Sequence, residues 1–224
     1  MGFDTATAAK YDQWYMNRKG QYADIQEKEL FLKLVQPQKG QSLLDIGCGT
    51  GHNLEFFTEM GMDATGIDSS EPMLQKAEQK LGSRVKLHRG QANNLRFDDN
   101  SFDIVTLINV LEFLSEPAKV IKEAARVSRG KIYIGVLNRV SILGITRRVE
   151  GRFRKSIYNQ AKFYTIWEIE GMVKRVLGRV SLAWESVLLL PLGWHRYCQR
   201  IDHRLSFQKN PFGAFLGIYI TKPN

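Results

Sequence analysis

The chain's most specific chemistry lies in Asp45-Ile46-Gly47-Cys48-Gly49-Thr50-Gly51 and, further on, Asp68. Glycines at the end of an apolar run let the backbone pass close to a bound group, because any Cβ there would intrude. A carboxylate that ends the following strand can accept both hydroxyls of a ribose. The two features together predict a nucleoside-containing cofactor in a crevice at the carboxyl ends of the strands. The dinucleotide fingerprint would place glycines at 47, 49 and 52, yet His52 fills the third place and the glycine stands at 51. Asp45, two places before the first glycine, gains nothing from an anionic pyrophosphate and suits a cationic ligand. Both departures weigh against a nicotinamide-linked oxidoreductase. Cys48 reads as a small filler that contacts the ligand through its place in the turn, not as a catalytic thiol.

These residues need strands that stop together. Gln41 to Ile46 is a short apolar run suited to a strand buried on both faces. An alternation follows: a helix from near Gly51, a strand from Met62 to Ile67, and a helix opened by Ser69-Ser70-Glu71-Pro72 and stopped by Gly82. Strands at Arg84 to His88, Phe102 to Ile108 and Lys131 to Val136 come next, with a helix from Glu116 to Val127 before the last of them. Strands separated by helices read as an α/β, Rossmann-like, doubly wound and mostly parallel sheet. Beyond it the pattern predicts a helix from Thr165 to Leu177 and strands at Ser181 to Leu190 and Ala214 to Thr221. Ahead of the first strand, residues 8–35 are helical in pattern, with Ile25, Leu30, Phe31 and Leu34 able to share a face.

Length and charge bound the partners. The 224 residues, 43% hydrophobic and 25% charged, suit one domain with one full core. Two cysteines, Cys48 and Cys198, exclude a disulfide scaffold and have no metal-site spacing, so no metal is expected. A reducing cytoplasm suits so few thiols, and the opening MGFDTATAAKYD has no hydrophobic segment of a secretory signal. The net charge of +9 is uneven: residues 1–138 carry 17 Lys+Arg against 18 Asp+Glu, and residues 139–224 carry 15 against 5. The cofactor module is therefore electrically balanced. The later part adds a cationic surface for acids, phosphates, nucleic acid or anionic lipid.

The segments LLDIGCGTG, GIDSSEPMLQKA, GQANNLRFDDNSFDIV, NVLEFLSEP and FYTIWEIEGMV, in this order and spacing, resemble the class I S-adenosylmethionine-dependent methyltransferases. The likeness is to the small bacterial type that includes quinone-biosynthesis enzymes, and it covers nearly the whole chain. The resemblance implies a seven-stranded sheet with an antiparallel last strand. It divides the chain into an N-terminal helical lid (1–40), a cofactor core (41–136), a basic cap insert (137–164) and a C-terminal helix with strands (165–224). It implies that Gly47, Cys48, Gly49 and Gly51 line the methionine and ribose, that Asp45 lies near the amino group, and that Asp68 binds the ribose hydroxyls. Ser69 and Met73 would flank the adenine, Gln91 and Ala92 would read its edge, and Asn109 would lie beside the sulfonium. Gln91 departs from the Asp common in the family, and Phe113 stands where many relatives have a histidine.

On the acceptor side the resemblance brings forward Glu112 as a candidate catalytic group, and Tyr11, Trp14, Phe113 and, from the basic insert, Arg147 and Arg148 as candidate substrate contacts; His195, in the basic C-terminal segment, is the other candidate catalytic group because an imidazole accepts a proton near neutral pH. His203 belongs with His195 in the same basic segment. The implied reaction is methyl transfer to a small or lipid-like, acidic acceptor by direct displacement. An RNA or protein acceptor is the alternative drawn from the basic C-terminal part, although NVLEF lacks the Pro-Pro-aromatic pattern of amino-methylating nucleic-acid enzymes. A non-catalytic S-adenosylmethionine-binding protein is the third reading.

Overall fold

The computed structural model describes residues 5–142, 161–190, 201–203 and 205–222. Helices α1 (Thr5–Met16) and α2 (Arg18–Val35) lead into β1 (Ser42–Ile46), α3 (His52–Glu59), β2 (Asp63–Asp68), α4 (Glu71–Leu81) and β3 (Lys86–Arg89). Then come β4 (Phe102–Ile108), α5 (Pro117–Val127), β5 (Ser128–Leu137), α6 (Ile166–Leu177), β6 (Ser181–Val187) and β7 (Phe215–Thr221). The strands form a seven-stranded sheet in the order β3-β2-β1-β4-β5-β7-β6. Pairs among β1 to β5 are parallel, and β7 runs antiparallel to both β5 and β6. The mostly parallel sheet with an antiparallel last strand is thus present. Chain order turns outward from β1 to β2 and β3, then crosses to β4 on the other side. This is the switch point at which open α/β sheets form a crevice beyond the strand ends.

Strand periodicity explains why the central segments are apolar throughout. Leu43, Ile104 and Tyr133 face one side with Phe31 and Phe57, whereas Leu44, Val105 and Ile132 face the other with Ile121 and Ile169. These central strand residues are therefore covered by helices on one face or the other.

Local signals set the helix ends. Asn17 accepts from the N–H groups of Lys19 and Gly20, both at 3.0 Å, and so separates α1 from α2. Ser70 accepts from Met73 N at 3.4 Å at the start of α4. Thr165 and Glu168 form a reciprocal capping box on α6.

Several boundaries move from the expectation. β2 begins one residue later and ends on Asp68 itself. β3 starts at Lys86 because Gly82–Arg84 form a 3₁₀ turn. β6 stops at Val187, where Leu188 takes φ 64° and leaves the extended region. Ile25 does not share the buried face of α2: it is 52% exposed, and Tyr22, Ala23 and Gln26 are buried beside Leu30 and Phe31. Among the described residues no helix is long and apolar enough to cross a membrane, and no cluster of metal-ligating side chains occurs.

Candidate functional site: a cofactor crevice beneath the N-terminal helices

The turn after β1 is clipped to the end of β2. Gly47 N and Cys48 N both donate to Ile67 O, at 2.7 and 3.2 Å. Gly47 and Gly49 hold φ of 74° and 54°, the left-handed region that disfavours other residues. A Cβ on Gly47 would strike the Val110 side chain, whereas one on Gly49 would meet nothing within 4 Å. Gly47 is therefore demanded by the fold, and Gly49 presents bare backbone to open space. Gly51 follows as the N-cap of α3, whose amide dipoles face the same turn. Cys48 is 6% exposed and packs with Leu54 in the core, where burial pushes its thiol well up.

Two aspartates flank this turn. Asp68 Oδ2 accepts from Gly49 N at 2.9 Å and Oδ1 from Ser70 N at 2.8 Å, so each oxygen keeps acceptor capacity for a further partner. Burial raises its pKa, and the N–H groups of Ser70, Gly49 and Ser69 oppose the rise. Asp45 is 2% exposed and accepts from Thr106 Oγ1 at 2.7 Å. Burial pushes it up to about 7, with the Asp68 charge adding to the rise and the Thr106 bond opposing it. A cation brought alongside would restore Asp45 to carboxylate.

The remaining rim comes from β2, β4 and their loops. Ser69 is half-buried and Met73 is buried. Gly90 N donates to Asp68 O at 3.0 Å, which ties the loop carrying Gln91 and Ala92 to the end of β2. Gln91 is exposed and bridges to Asn94; Ala92 is half-buried. Asn109 takes φ 54° directly after β4, its N–H donates to Gly135 O at 2.8 Å, and its Nδ2 donates to Glu27 Oε2 at 3.5 Å. The turn, Asp45, Asp68, Ser69 and Asn109 thus share one end of the sheet.

The N-terminal helices reach this end. Asp12 accepts from Thr50 Oγ1 at 2.5 Å and pairs with Lys80 of α4 at 3.1 Å. The Tyr15 ring stacks on His52 with centroids 3.7 Å apart and planes at 16°, and Tyr11 lies 5.8 Å from Tyr15. His52 Nε2 is 2.7 Å from Asp24 Oδ1, and Lys28 holds the other Asp24 oxygen at 2.7 Å. Trp14 packs against the cluster of Leu30, Val187, Leu188 and Phe215. Sequence reasoning did not find Asp12, Asp24, Glu27, Thr106 or Tyr133. The i, i+3, i+4 spacing of Asp24, Glu27 and Lys28 places them on one helical face, but nothing local reveals what that face meets.

The acceptor-side candidates separate. Glu112 is 2% exposed; its Oε1 accepts from Leu137 N at 2.7 Å and its carbonyl from Lys162 N at 2.8 Å, while burial raises its pKa to about 7. Its Oε1 fastens the end of β5, and its Oε2 is buried with no hydrogen-bond partner among the described residues. Phe113 is half-buried. His203 is 59% exposed and 3.5 Å from Glu29. Arg147, Arg148 and His195 lie outside the described residues.

A glycine turn after β1, a carboxylate ending β2 and the switch between β1 and β4 define an α/β protein that binds a nucleoside cofactor. The family model described as a methyltransferase domain matches residues 44–134. A protein of Methanocaldococcus jannaschii is 34% identical over 172 residues, covering 75% of this chain and 77% of the relative. The demethylmenaquinone methyltransferase of Renibacterium salmoninarum is 33% identical over 109 residues, 48% of this chain and 46% of that enzyme. The chain thus spans about half the length of that curated methyltransferase. A SAM-dependent methyltransferase structure from Thermotoga maritima, described as a possible histamine N-methyltransferase, covers 98% of both chains with a TM-score of 0.75 at 23% identity, a likeness of fold. This chain belongs to the S-adenosylmethionine-dependent methyltransferases, and S-adenosylmethionine is the cofactor of that family.

Proposed function

We propose that this chain transfers the methyl group of S-adenosylmethionine by in-line displacement to a small-molecule acceptor bound beneath α1 and α2. The observation that carries the reading is the Asp68 carboxylate, held by Gly49 N and Ser70 N beside a turn whose Gly49 faces open space. Its spare lone pairs fit a ribose diol, and the buried Asp45 fits a cationic methionine portion. The residues present therefore suit the cofactor. When bound, it supplies a methyl already activated as a sulfonium, so the chain's task is to bind, align and exclude water.

In this reading the backbone of Gly47, Cys48, Gly49 and Gly51 borders the methionine and ribose. Asp68 takes the ribose hydroxyls, and Asp45 faces the amino group. Ser69, Met73, Gln91 and Ala92 border the adenine, and Asn109 stands near the sulfur. Helix α1 acts as the lid, latched by Asp12 to Thr50 and Lys80 and by Tyr15 to His52. Tyr11 and Trp14 form its inner face. A small acceptor accords with the relative named demethylmenaquinone methyltransferase.

Calorimetry with S-adenosylhomocysteine, followed by a screen of amines, phenols and organic acids for labelled methyl uptake, tests the reading. Saturable binding and methylation of a small acceptor are expected. Absence of heat with S-adenosylhomocysteine, together with saturation by a pyridine coenzyme, would overturn it.

A further inference from the structure

Five large apolar side chains lie exposed at one end of the sheet, each fixed there by a contact of its neighbours. β5 ends at Leu137, β7 begins at Phe215 and β6 ends at Val187, and these residues pair in register at the carboxyl end of the parallel strands. Asn138 Nδ2 donates to Pro211 O at 2.6 Å and to Gly213 O at 2.7 Å, which holds the loop carrying Phe212 at this end. The Asn138 carbonyl accepts from Ser141 Oγ at 2.9 Å in the turn that leads to Ile142. Tyr164 N donates to Leu137 O at 3.2 Å just ahead of α6, and Trp167 stands in the first turn of that helix. Asp202 Oδ1 accepts from Leu190 N at 2.8 Å shortly after β6, with Ile201 beside it in the chain and Leu205 three residues on. Trp167 is 61% exposed, Phe212 59%, Ile201 55%, Ile142 51% and Leu205 42%.

Exposed apolar area on this scale marks a surface that meets something other than water. Charge narrows the choice. Lys162 and Lys209 are exposed, two residues before Tyr164 and three before Phe212. The nearby acids are engaged: Glu168 pairs with Arg139 at 3.0 Å, and Asp202 is buried against the Tyr22 hydroxyl at 2.7 Å. By sequence, residues 139–224 carry 15 Lys+Arg against 5 Asp+Glu, so the excess positive charge and these five side chains belong to the same part of the chain. An anionic bilayer complements both at once, with its headgroups for the charge and its acyl boundary for the apolar groups, where Trp is favoured. A nucleic acid matches the charge but gives Ile142, Ile201 and Leu205 no apolar phase to enter. A second copy of the chain brings the same positive sign and is repelled.

We propose that this end of the molecule docks on an anionic lipid surface, with Trp167 and Phe212 entering the headgroup boundary and Lys162 and Lys209 facing the lipid phosphates. The cofactor crevice stands at the same end of the sheet. The docking surface goes beyond the methyltransferase reading and does not rest on it.

The test sediments the full chain with vesicles of phosphatidylcholine alone and of phosphatidylcholine mixed with phosphatidylglycerol. Binding to the mixed vesicles is expected, with much weaker binding to phosphatidylcholine alone. Raising the salt from about 0.1 M to about 1 M, which shortens electrostatic reach from about 10 Å to about 3 Å, should weaken it. Trp167→Ser combined with Phe212→Ser should lower affinity for mixed vesicles about tenfold or more, from the apolar area no longer inserted. Met60→Ser, at the opposite end of the strands where α3 gives way to β2, should leave it unchanged. S-adenosylhomocysteine binding, read by calorimetry, should be the same in all of these chains and so reports that they are folded. Lys162→Glu combined with Lys209→Glu supplies a second variant, expected to weaken the mixed vesicles and leave phosphatidylcholine as it was. No binding to mixed vesicles, equal binding to both kinds, or full binding by both double variants overturns the proposal. So does an RNA duplex that binds more tightly than the vesicles and is indifferent to Trp167→Ser with Phe212→Ser, or a dimer in sedimentation velocity that this pair of substitutions dissolves.

Discussion

Asp45 and Glu112 are each 2% exposed, and burial pushes each up to about 7, yet they sit in regions with opposite tasks. Asp45 has one bond from the Thr106 hydroxyl, a second carboxylate nearby and a bare glycine turn beyond it. Glu112 is enclosed by backbone, with Leu137 N on its carboxylate and Lys162 N on its carbonyl, and it holds together the places where the chain leaves β5 and returns. Burial and a raised pKa are common to both and distinguish neither. A perturbed carboxylate marks a ligand site when the missing counter-charge has a way in from outside. Around Asp45 that way is the Gly49 turn; around Glu112 one carboxylate oxygen is held by the Leu137 amide and the other is enclosed without a hydrogen-bond partner among the described residues.

The comparison breaks first at Asp68, the partner that Glu112 lacks. Asp68→Ala removes the acceptor for two backbone N–H groups and for the ribose, and S-adenosylhomocysteine affinity should fall about 100-fold or more by calorimetry. A loss under tenfold would remove the ground for treating the two regions differently. Glu112→Ala should do the reverse. It strands Leu137 N and opens a cavity, costing about 2–4 kcal/mol in urea unfolding, while cofactor affinity of the folded protein stays unchanged.

Asp45→Asn sharpens the contrast through pH. A carboxyl that titrates near 7 when folded and 3.8 when unfolded binds protons more tightly in the folded state. Stability is then lost as pH rises between those values, and the loss is complete above the folded pKa. The variant should therefore melt a few degrees above the parent at pH 8 and show no gain at pH 4, with weaker cofactor binding at both. The smallest effect is expected for Thr106→Val, which removes the hydroxyl bond on Asp45 at a cost of about 1 kcal/mol in thermal or urea unfolding.

Much of the cofactor side was legible because its signals are local. The glycines lie next to the strand they terminate, Asp68 ends the next strand, and Ser70 and Pro72 mark the following helix within a few residues. Such features depend on allowed φ values, missing Cβ atoms and caps, all properties of short stretches of chain. The amphipathic reading of α2 was only partly right. Ile25 is apolar yet exposed, and Gln26 is polar yet buried, because the face that packs is decided by what stands opposite it.

By itself the sequence determined the alternation of strands and helices, the glycine turn between two aspartates and the resemblance to a methyltransferase family. Only the tertiary structure decided that Glu27 meets Asn109, that Tyr15 lies on His52 and that Glu112 holds the Leu137 amide. The physical reason is distance along the chain. Periodicity reports which face of an element is buried, whereas the juxtaposition of side chains from α2, β4 and β5 depends on strand order and crossover, which no short stretch encodes.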